Sequence, residues 1–298
     1  VVVVDDLSSG HRDAVPDGAA FEQADVADRA RMRGVLDAHR VEAILHFAAR
    51  IEVGESMVHP RLYYRGNVAA AVALLDSALD AGVRRFVLSS TAAVYGEPVR
   101  VPIDEEHPTV PINPYGETKL AVERMLAAYS RAYGLGYAAL RYFNAAGADA
   151  DAGLDERHDP ETHLVPIVLD VALGRREEVT VFGNDYDTPD GTCVRDFVHV
   201  LDLCDAHLAA LDHLAGGGAG GAFNLGTGRG HSVTEVIDAV RLVSGRPVRV
   251  VQGARRPGDP PRLVASAERA ERVLGWRARR ASLEEIVRDA WRSRAARA

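Results

Sequence analysis

Residues 1–6 read VVVVDD, a short apolar run that ends in two acids. Similar runs, rich in Val, Ile and Phe, lie at Ala43–Phe47, Arg85–Leu88 and Gly136–Leu140. Strands that are apolar along most of their length are typical of a parallel sheet whose two faces are both covered. The sequence therefore predicts four buried strands, the first of them over Val1–Val4.

Helical patterns separate these runs. Apolar residues recur at three- and four-residue spacing over Asp28–His39, Arg61–Ala81 and Tyr115–Tyr133, which predicts three amphipathic helices. Strands that alternate with helices favour an α/β fold built on a doubly wound parallel sheet of the Rossmann type.

The second half of the chain is richer in loops. Segments such as DADAGLDERHDPE and GNDYDTPDGT are interspersed with short helical patterns at Ser232–Ser244 and Ser282–Arg292. We predict a nucleotide-binding domain over residues 1–146, incomplete at its N-terminus, and a smaller α/β substrate domain over residues 147–298. Parts near 195–213 are expected to pack back on the first domain.

The composition excludes several classes of function. The 298 residues are 47% hydrophobic and 26% charged, and the net charge of -8 argues against nucleic-acid or membrane partners. Cys193 and Cys204 show no metal-ligand or redox spacing, so no metal site is predicted. The longest apolar runs are too short for a membrane span or a signal peptide, and we expect a cytoplasmic protein.

Asp5 closes the first predicted strand, at the place where nucleotide-binding folds hydrogen-bond the adenosine ribose. An acid there favours NAD over NADP, because it repels a 2′-phosphate. The alternative is that Asp5 only opens a turn in DDLSSG.

The Gly-rich phosphate loop of such folds precedes this acid by about 20 residues, yet only four residues precede Asp5. The strand that carries the loop is central in the usual strand order. We therefore expect a gap within the sheet rather than a trimmed edge.

Tyr115 and Lys119 lie four residues apart, on one face of a predicted helix that Pro114 is well placed to open. A neighbouring cation favours the phenolate and lowers the pKa of a tyrosine toward the range of a useful base. Lys119 is the only lysine among the 35 Lys and Arg residues, which suggests a position where a compact point donor is required and an arginine fork does not serve. Chance retention of one lysine on a solvated helix face is the alternative.

The run FVLSSTAAVYG at 86–96 supports the first interpretation. It is a predicted buried strand that ends in the hydroxyls of Ser89, Ser90 and Thr91, at the carboxyl end where ligands bind in open α/β sheets. These hydroxyls are suited to bind a substrate oxygen beside the tyrosine, although Ser and Thr also cap turns at strand ends.

Several further motifs accompany these residues along the chain. They are ADV at 24–26, LHFAA at 45–49, VGES at 53–56, NPYGETK at 113–119, LRYFNAAGA at 140–148, VFGNDYDTPDGTCVRDFVHVLDL at 181–203, FNLGTG at 223–228 and RRPGDPP at 255–261. With these motifs the chain resembles the extended short-chain dehydrogenase/reductases, and among them the UDP-glucose 4-epimerases, also called UDP-galactose 4-epimerases. The resemblance runs from residue 1 almost to the end.

The resemblance implies NAD-dependent 4-epimerisation of a UDP-hexose, from UDP-galactose to UDP-glucose, by transient oxidation at C4. It gives Tyr115 the role of base and lets Thr91 share the hydrogen bond to the C4 hydroxyl. Lys119 holds the nicotinamide ribose and tunes Tyr115.

The resemblance also implies two sets of binding residues and a partner. The cofactor set is Asp5, Asp25, Val26, Phe47, Ala48, Ala49, Asn67, Ser89, Tyr115, Lys119 and Tyr142. The substrate set is Thr91, Asn144, Leu164, Thr180, Phe182, Arg195, Arg256 and Asp259, with the two arginines suited to the pyrophosphate. Relatives pair as homodimers, here through the helices at 61–81 and 115–133.

Other functions remain open. Leu263 stands where some relatives carry a bulky tyrosine that closes the sugar pocket, so a UDP-N-acetylhexosamine is an alternative substrate, and a UDP-pentose is another. A non-catalytic module that binds NAD or UDP-sugar is a third alternative. A dehydratase is disfavoured, because Ala92 and Ala93 occupy the places of its acid pair.

Overall fold

The computed structural model describes residues 1–256 and 259–297. The chain forms two compact units, each built from three segments. The first comprises Val1–Gly96, Thr109–Arg141 and His207–Ala222, and the second comprises Glu97–Pro108, Tyr142–Ala206 and Phe223–Ala298. Whether ligands divide between domains 1–146 and 147–298 stays a prediction.

The strands are short. They are β1 (Val2–Asp5), β2 (Ala20–Gln23), β3 (Ala43–His46), β4 (Arg85–Thr91), β5 (Gly136–Tyr142), β6 (Asn144–Ala146), β7 (Val179–Phe182), β8 (Val194–Arg195), β9 (Phe197–His199), β10 (Gly221–Leu225), β11 (His231–Ser232), β12 (Val250–Gly253) and β13 (Arg262–Leu263).

The helices alternate with them. They are α1 (Arg29–Ala38), α2 (Val53–Val58), α3 (Pro60–Tyr63), α4 (Ala70–Asp80), α5 (Pro114–Tyr133), α6 (Leu164–Leu173), α7 (Val200–Ala215), α8 (Val233–Ser244), α9 (Glu268–Leu274) and α10 (Leu283–Ala296). No helix within residues 1–256 and 259–297 is long and apolar enough to cross a membrane.

Parallel pairing dominates the sheets, and the predicted α/β class is confirmed. β1 pairs with β2 in a two-stranded sheet, and β3 pairs with β4 in a four-stranded sheet of order β10-β5-β4-β3. Among the described residues, β1 and β2 therefore form a sheet separate from that of β3, as the predicted gap requires. The prediction of buried strands was wrong for β1 and β3. All four residues of β1 are half-buried, and of β3 only His46 is buried, since each of the two strands has a strand neighbour on one side only.

The prediction of one continuous helix over Arg61–Ala81 was also wrong. This segment divides into α3, a π-helical turn over Tyr64–Ala69, and α4. The other predicted helices are present with shifted ends: Asp28 and Ser232 cap α1 and α8 with their side chains, so each helix begins one residue later than predicted. β4 includes the hydroxyl run with which the strand was predicted to end. β5 continues past its predicted end to Tyr142, because Arg and Tyr side chains do not interrupt a strand backbone.

Each unit has its own hydrophobic core. In the first, buried residues of α1, α4, β4, α5 and β5 pack together, including Leu75, Phe86 and Leu126. In the second, α6, α8 and α10 enclose the other core with residues such as Leu169, Val240 and Val287. These cores fix the strands and helices whose ends carry the predicted site residues.

Candidate functional site

The start of α5 positions the predicted catalytic tyrosine. The Asn113 side chain caps the helix by accepting a hydrogen bond from the Gly116 amide at 2.8 Å, and Pro114 fills the first helical position. Asn and Pro are favoured at these two positions. Tyr115 and Lys119 therefore share one helix, as predicted, with the tyrosine half-buried in its first turn and the lysine one turn further on.

Gly116 lets this first turn approach the end of β4 closely. A Cβ on Gly116 would lie 2.5 Å from the carbonyl oxygen of Ala93, in the 3₁₀ turn Ala92–Val94 that follows Thr91 directly. The Thr91 hydroxyl caps that turn by accepting a hydrogen bond from the Ala93 amide at 3.1 Å. The segments that carry Tyr115 and Thr91 are therefore in direct contact.

Lys119 is buried below this contact. Its Nζ donates a 2.9 Å hydrogen bond to the carbonyl oxygen of Ser89, and the side chain reaches the end of β4 from α5. Burial lowers the pKa of Lys119 to about 8, and the negative charge of Glu123 opposes this change. Near neutral pH the site therefore holds a buried ammonium group one helical turn from Tyr115.

His46 lies near this charge and stays neutral. Burial, with a smaller effect of the Lys119 charge, lowers the pKa of His46 to about 3. Its ring packs on Phe86 with the two centroids 5.5 Å apart. His46 thus adds no second positive charge to the site.

A buried ion pair braces α5 against the sheet. Arg141 on β5 donates to the Glu123 carboxylate at 3.0 Å from Nε and 2.5 Å from Nη2. The Ser90 hydroxyl donates to the same carboxylate at 2.5 Å, and Arg141 Nη1 donates to the Tyr95 hydroxyl at 2.9 Å. The network joins β4, α5 and β5 directly behind the hydroxyl run.

Neither this network nor His46 was predicted from the sequence. Glu123 lies within a predicted helix, and Arg141, of opposite charge, directly follows the predicted strand Gly136–Leu140. Buried charges are usually paired, so the two were candidates for each other.

The structure gives Asn67 a structural role. Its Nδ2 donates to the Arg50 carbonyl oxygen and to the Thr118 hydroxyl, both at 3.0 Å, and its Oδ1 accepts from the Arg50 amide at 2.8 Å. Asn67 lies in the π-helical turn and is buried. Both of its amide hydrogens are therefore engaged by the protein itself.

Asp5 opens a turn after β1, which was one of the two roles considered for it. Its Oδ1 accepts a hydrogen bond from the Leu7 amide at 2.6 Å. A Cβ on Gly10 would lie 2.6 Å from the same oxygen, so the loop after β1 closes tightly over the carboxylate because residue 10 is a glycine. The ribose contact of Asp5 stays a prediction.

The other predicted cofactor residues follow strand ends. Asp25 and Val26 come after β2, and the Asp25 carboxylate accepts from the Ala27 amide at 2.8 Å. Phe47, Ala48 and Ala49 follow β3, while Ser89 lies inside β4 and Tyr142 ends β5. Carboxyl ends of parallel strands form the ligand-binding edge of such sheets, which is where these residues lie.

Phe47 is 53% exposed. Its ring lies against that of His207, with centroids 4.6 Å apart. Phe47, which is predicted to contact the dinucleotide, thus presents an aromatic ring that packs on the ring of His207.

In the second unit, Arg195 and Asp259 form an ion pair. The Arg195 Nη2 donates to the Asp259 carboxylate, and Nη1 donates to the carbonyl oxygens of Val194 and Pro260, both at 2.9 Å. Arg195, which is predicted to bind the pyrophosphate, and Asp259, another member of the predicted substrate set, are therefore neighbours.

A second group forms at the ends of β7 and β12. These strands pair in parallel, with Gly253 opposite Phe182, and a Cβ on Gly253 would lie 2.8 Å from Thr180 Cγ2. The guanidinium carbon of Arg256 lies 4.0 Å from the centroid of the Phe182 ring, a cation–π contact. Thr180, Phe182 and Arg256 are thus brought together as a surface with one exposed cation.

Two predicted substrate residues belong to other elements. Asn144 begins β6, which pairs with β9, and its amide donates to the Asp196 carbonyl oxygen at 3.0 Å. Leu164 is the first residue of α6. The predicted motif RRPGDPP includes Pro257 and Gly258, which lie outside the described residues.

Comparison with known proteins places the chain in a family. A model of the NAD dependent epimerase/dehydratase family matches residues 1–226. The chain belongs to this family. Tyr115 and the buried Lys119 lie within the matched residues.

Relatives extend the match over nearly the whole chain. A UDP-glucose 4-epimerase of Halalkalibacterium halodurans is 50% identical over 291 residues, which are 98% of this chain and 87% of that protein. The structure of UDP-glucose 4-epimerase from Brucella ovis in complex with NAD is 47% identical with a TM-score of 0.95, over 97% of this chain and 89% of that one.

A third relative is a complex with both types of ligand. It is UDP-glucose 4-epimerase from Bifidobacterium longum in complex with NAD+ and UDP, 36% identical with a TM-score of 0.92. The match covers 99% of the chain described here and 90% of the Bifidobacterium longum chain.

Proposed function

We propose that this family member is an NAD-dependent isomerase that interconverts UDP-galactose and UDP-glucose by transient oxidation at C4. The buried ammonium group of Lys119, anchored at 2.9 Å on the end of β4, carries the proposal. It provides a fixed cation on the same helix as Tyr115, whose helical turn packs on the turn after Thr91. The relatives described above bear the name UDP-glucose 4-epimerase.

In this proposal Tyr115 is the catalytic base. It accepts the proton of the C4 hydroxyl and later returns it, and Lys119 stabilises the phenolate that this requires. Thr91 donates a hydrogen bond to the C4 oxygen. When bound, NAD supplies the acceptor and donor of the C4 hydride.

The residues of the first unit fit NAD in chemical type. An acid at the end of β1 suits the hydroxyls of an unphosphorylated ribose, and the Lys119 ammonium suits the nicotinamide ribose. Asp25, Val26, Phe47, Ala48, Ala49, Ser89 and Tyr142 complete the proposed contacts. Asn67 acts in our proposal by holding the Arg50 backbone, since its amide group is already engaged.

In the second unit we infer a nucleoside diphosphate site. Arg256 is exposed and rests on the Phe182 ring, so its guanidinium is open to phosphate oxygens, which it pairs in fork geometry. Arg195 exchanges part of its ion pair with Asp259 for phosphate, and the released carboxylate accepts from a ribose hydroxyl. Asn144, Leu164 and Thr180 complete the proposed set.

A UDP-N-acetylhexosamine is the second candidate substrate. Leu263 pairs with Arg195 between β13 and β8, so the residue in question lies beside the proposed diphosphate contact. A leucine there is smaller than a tyrosine and leaves room for an acetamido group. Turnover of UDP-N-acetylgalactosamine at the background rate would exclude this substrate.

We also propose that the protein pairs with a second copy through the surface of α3, α4 and α5. Leu62, Tyr64 and Val72 are exposed there, and apolar surface of this kind is stabilised by burial. Light scattering coupled to gel filtration is expected to give the mass of a dimer, and Val72→Glu is expected to give that of a monomer. A monomeric wild-type protein would contradict this proposal.

The epimerase proposal is tested by following UDP-galactose conversion with added NAD+. Wild-type protein is expected to turn over, and Tyr115→Phe is expected to reduce kcat by at least about 10²-fold, the scale of lost general acid–base catalysis. Tyr133→Phe, at the exposed end of the same helix, is the matched control and is expected to leave kcat unchanged. Equal rates for wild type and Tyr115→Phe would refute the assignment of the base.

A further inference from the structure

The loop before α6 gathers four side chains that ligate metals. Glu156, His158, Glu161 and His163 each offer one ligand atom, and these atoms all lie within 4.8 Å of one another. No metal site was predicted from the cysteine spacing, and this cluster contains histidines and glutamates only.

The spacing of the four atoms suits a small cation. The His158 Nδ1 lies 3.0 Å from Glu156 Oε1 and 4.0 Å from Glu161 Oε1, and the His163 Nδ1 lies 3.8 Å from that second oxygen. The His163 Nδ1 also contacts Glu156 Oε1. Ligands at about 2.0–2.1 Å from a tetrahedral zinc ion are roughly 3.4 Å apart, which lies within this range.

Glu161 supplies an independent observation. Its side chain is only 9% exposed. Its Oε1 faces the two histidines and accepts from the Thr162 and His163 amides at 2.9 and 3.0 Å, while its Oε2 is buried without a hydrogen-bond partner. The Arg294 Nη2 lies 3.8 Å from this oxygen, and the guanidinium donates to the Asp170 carboxylate at 2.7 Å and to the Glu156 carbonyl oxygen at 3.0 Å. A buried carboxylate with an unsatisfied oxygen is costly.

The negative charges of Glu156 and Glu161 also favour a bound cation. Two carboxylates that share one site repel each other, and a divalent ion between them removes the repulsion.

We propose that Glu156, His158, Glu161 and His163 bind one divalent transition-metal ion, with zinc as the best match. Two imidazoles and two carboxylates are borderline ligands of the kind that zinc takes, and four protein ligands make a closed, structural site. All four come from an eight-residue stretch that ends directly before α6. The ion therefore fixes this loop, and the site goes beyond the proposed epimerase function.

The competing explanation is a cluster held by hydrogen bonds alone. In that case both histidines carry a proton on Nδ1 and donate it to Glu156. A metal ion takes the place of those two protons, so the two explanations differ in whether the protein binds metal tightly.

The test is zinc binding by the full chain without a histidine tag, after removal of metal with a chelator. Calorimetric titration with Zn2+ is expected to show one ion per chain, and bound Co2+ is expected to give the strong visible absorption of tetrahedral coordination. Glu161→Gln and His158→Ala are each expected to weaken Zn2+ binding at least tenfold. Zn2+ is also expected to raise the Tm of the wild-type protein and not that of these variants.

His39→Ala is the matched control. His39 Nε2 lies 3.1 Å from Glu22 Oε1, a histidine–glutamate pair in the other unit, and its loss is expected to leave the Zn2+ affinity unchanged. Absence of stoichiometric binding, or equal affinity in wild type and both cluster variants, would overturn the proposal in favour of the hydrogen-bonded cluster. The readout is metal affinity rather than epimerase activity, so the two proposals fail independently.

Discussion

Lys119 is the only lysine of the chain, and its buried position is consistent with a site that requires a compact donor rather than an arginine. The period of a helix was sufficient to place it on the face of Tyr115. Its burial and its hydrogen bond to the Ser89 carbonyl oxygen depend on how α5 packs on β4, which no local pattern reveals. The same reason explains why the burial of His46 was missed and why Glu123 and Arg141, although candidates for a pair, were not assigned to each other.

The buried lysine predicts a pH dependence of stability. Its pKa is about 8 in the folded protein against 10.5 for an ordinary lysine, mainly through burial. Between these pH values the unfolded chain holds the proton and the folded chain does not, so stability rises with pH. Relative to Lys119→Met, the free energy of unfolding of the NAD-free protein is expected to gain up to about 3 kcal/mol.

Urea unfolding of both proteins from pH 7.5 to 10.5 measures this difference. Other titrating groups are shared by the two proteins and cancel in the comparison. A difference that stays constant over this range would contradict the burial of a charged Lys119.

Among the helices and strands, the alternation of apolar runs was sufficient to predict β3, β4, β5 and α5. It was not sufficient for the division of the helix at 61–81, because a π-helical turn of six residues changes the apolar spacing too little to be seen. Its cause is tertiary: Asn67 in that turn bonds Arg50 and Thr118.

The contact between α5 and the turn after β4 predicts the effect of Gly116→Ala. The added Cβ lies 2.5 Å from the Ala93 carbonyl oxygen, so the turn must shift. We expect a loss of about 1–3 kcal/mol in the free energy of unfolding and a large loss of kcat. Gly34→Ala, where a Cβ on α1 meets nothing within 4 Å, is expected to stabilise by about 0.5–1 kcal/mol. Similar effects of the two substitutions would show that this contact is loose.

The ion pair behind the site predicts the effect of Glu123→Gln. It leaves Arg141 buried without its counter-charge, and the free energy of unfolding is expected to fall by about 3–5 kcal/mol. The control Glu117→Gln changes an exposed glutamate of the same helix and is expected to stay within about 0.5 kcal/mol of wild type. Denaturant unfolding of the wild type and the two variants measures these free energies. A decrease of less than about 1 kcal/mol for Glu123→Gln would show that the ion pair is in contact with solvent.

For the whole molecule, the fold class and the gap between β1 and β3 were predictable, because strand order follows from the position of the ribose-type acid. The assembly of each unit from three separate segments was not, since it depends on contacts between residues far apart in the chain. The same is true of the second unit's groups around Arg195 and Arg256. Their members lie on strands and loops distant in sequence, and only the family resemblance named them together.

The chemistry assigned to Tyr115, Lys119 and Thr91 is tested most directly with UDP-galactose that carries deuterium at C4 of the sugar. Hydride removal and return within one site predict that the UDP-glucose formed keeps the deuterium at C4. Mass spectrometry and NMR of the product measure this. Loss of the label to solvent during turnover, or no conversion by the NAD-loaded protein, would contradict transient oxidation at C4 as the function of this chain.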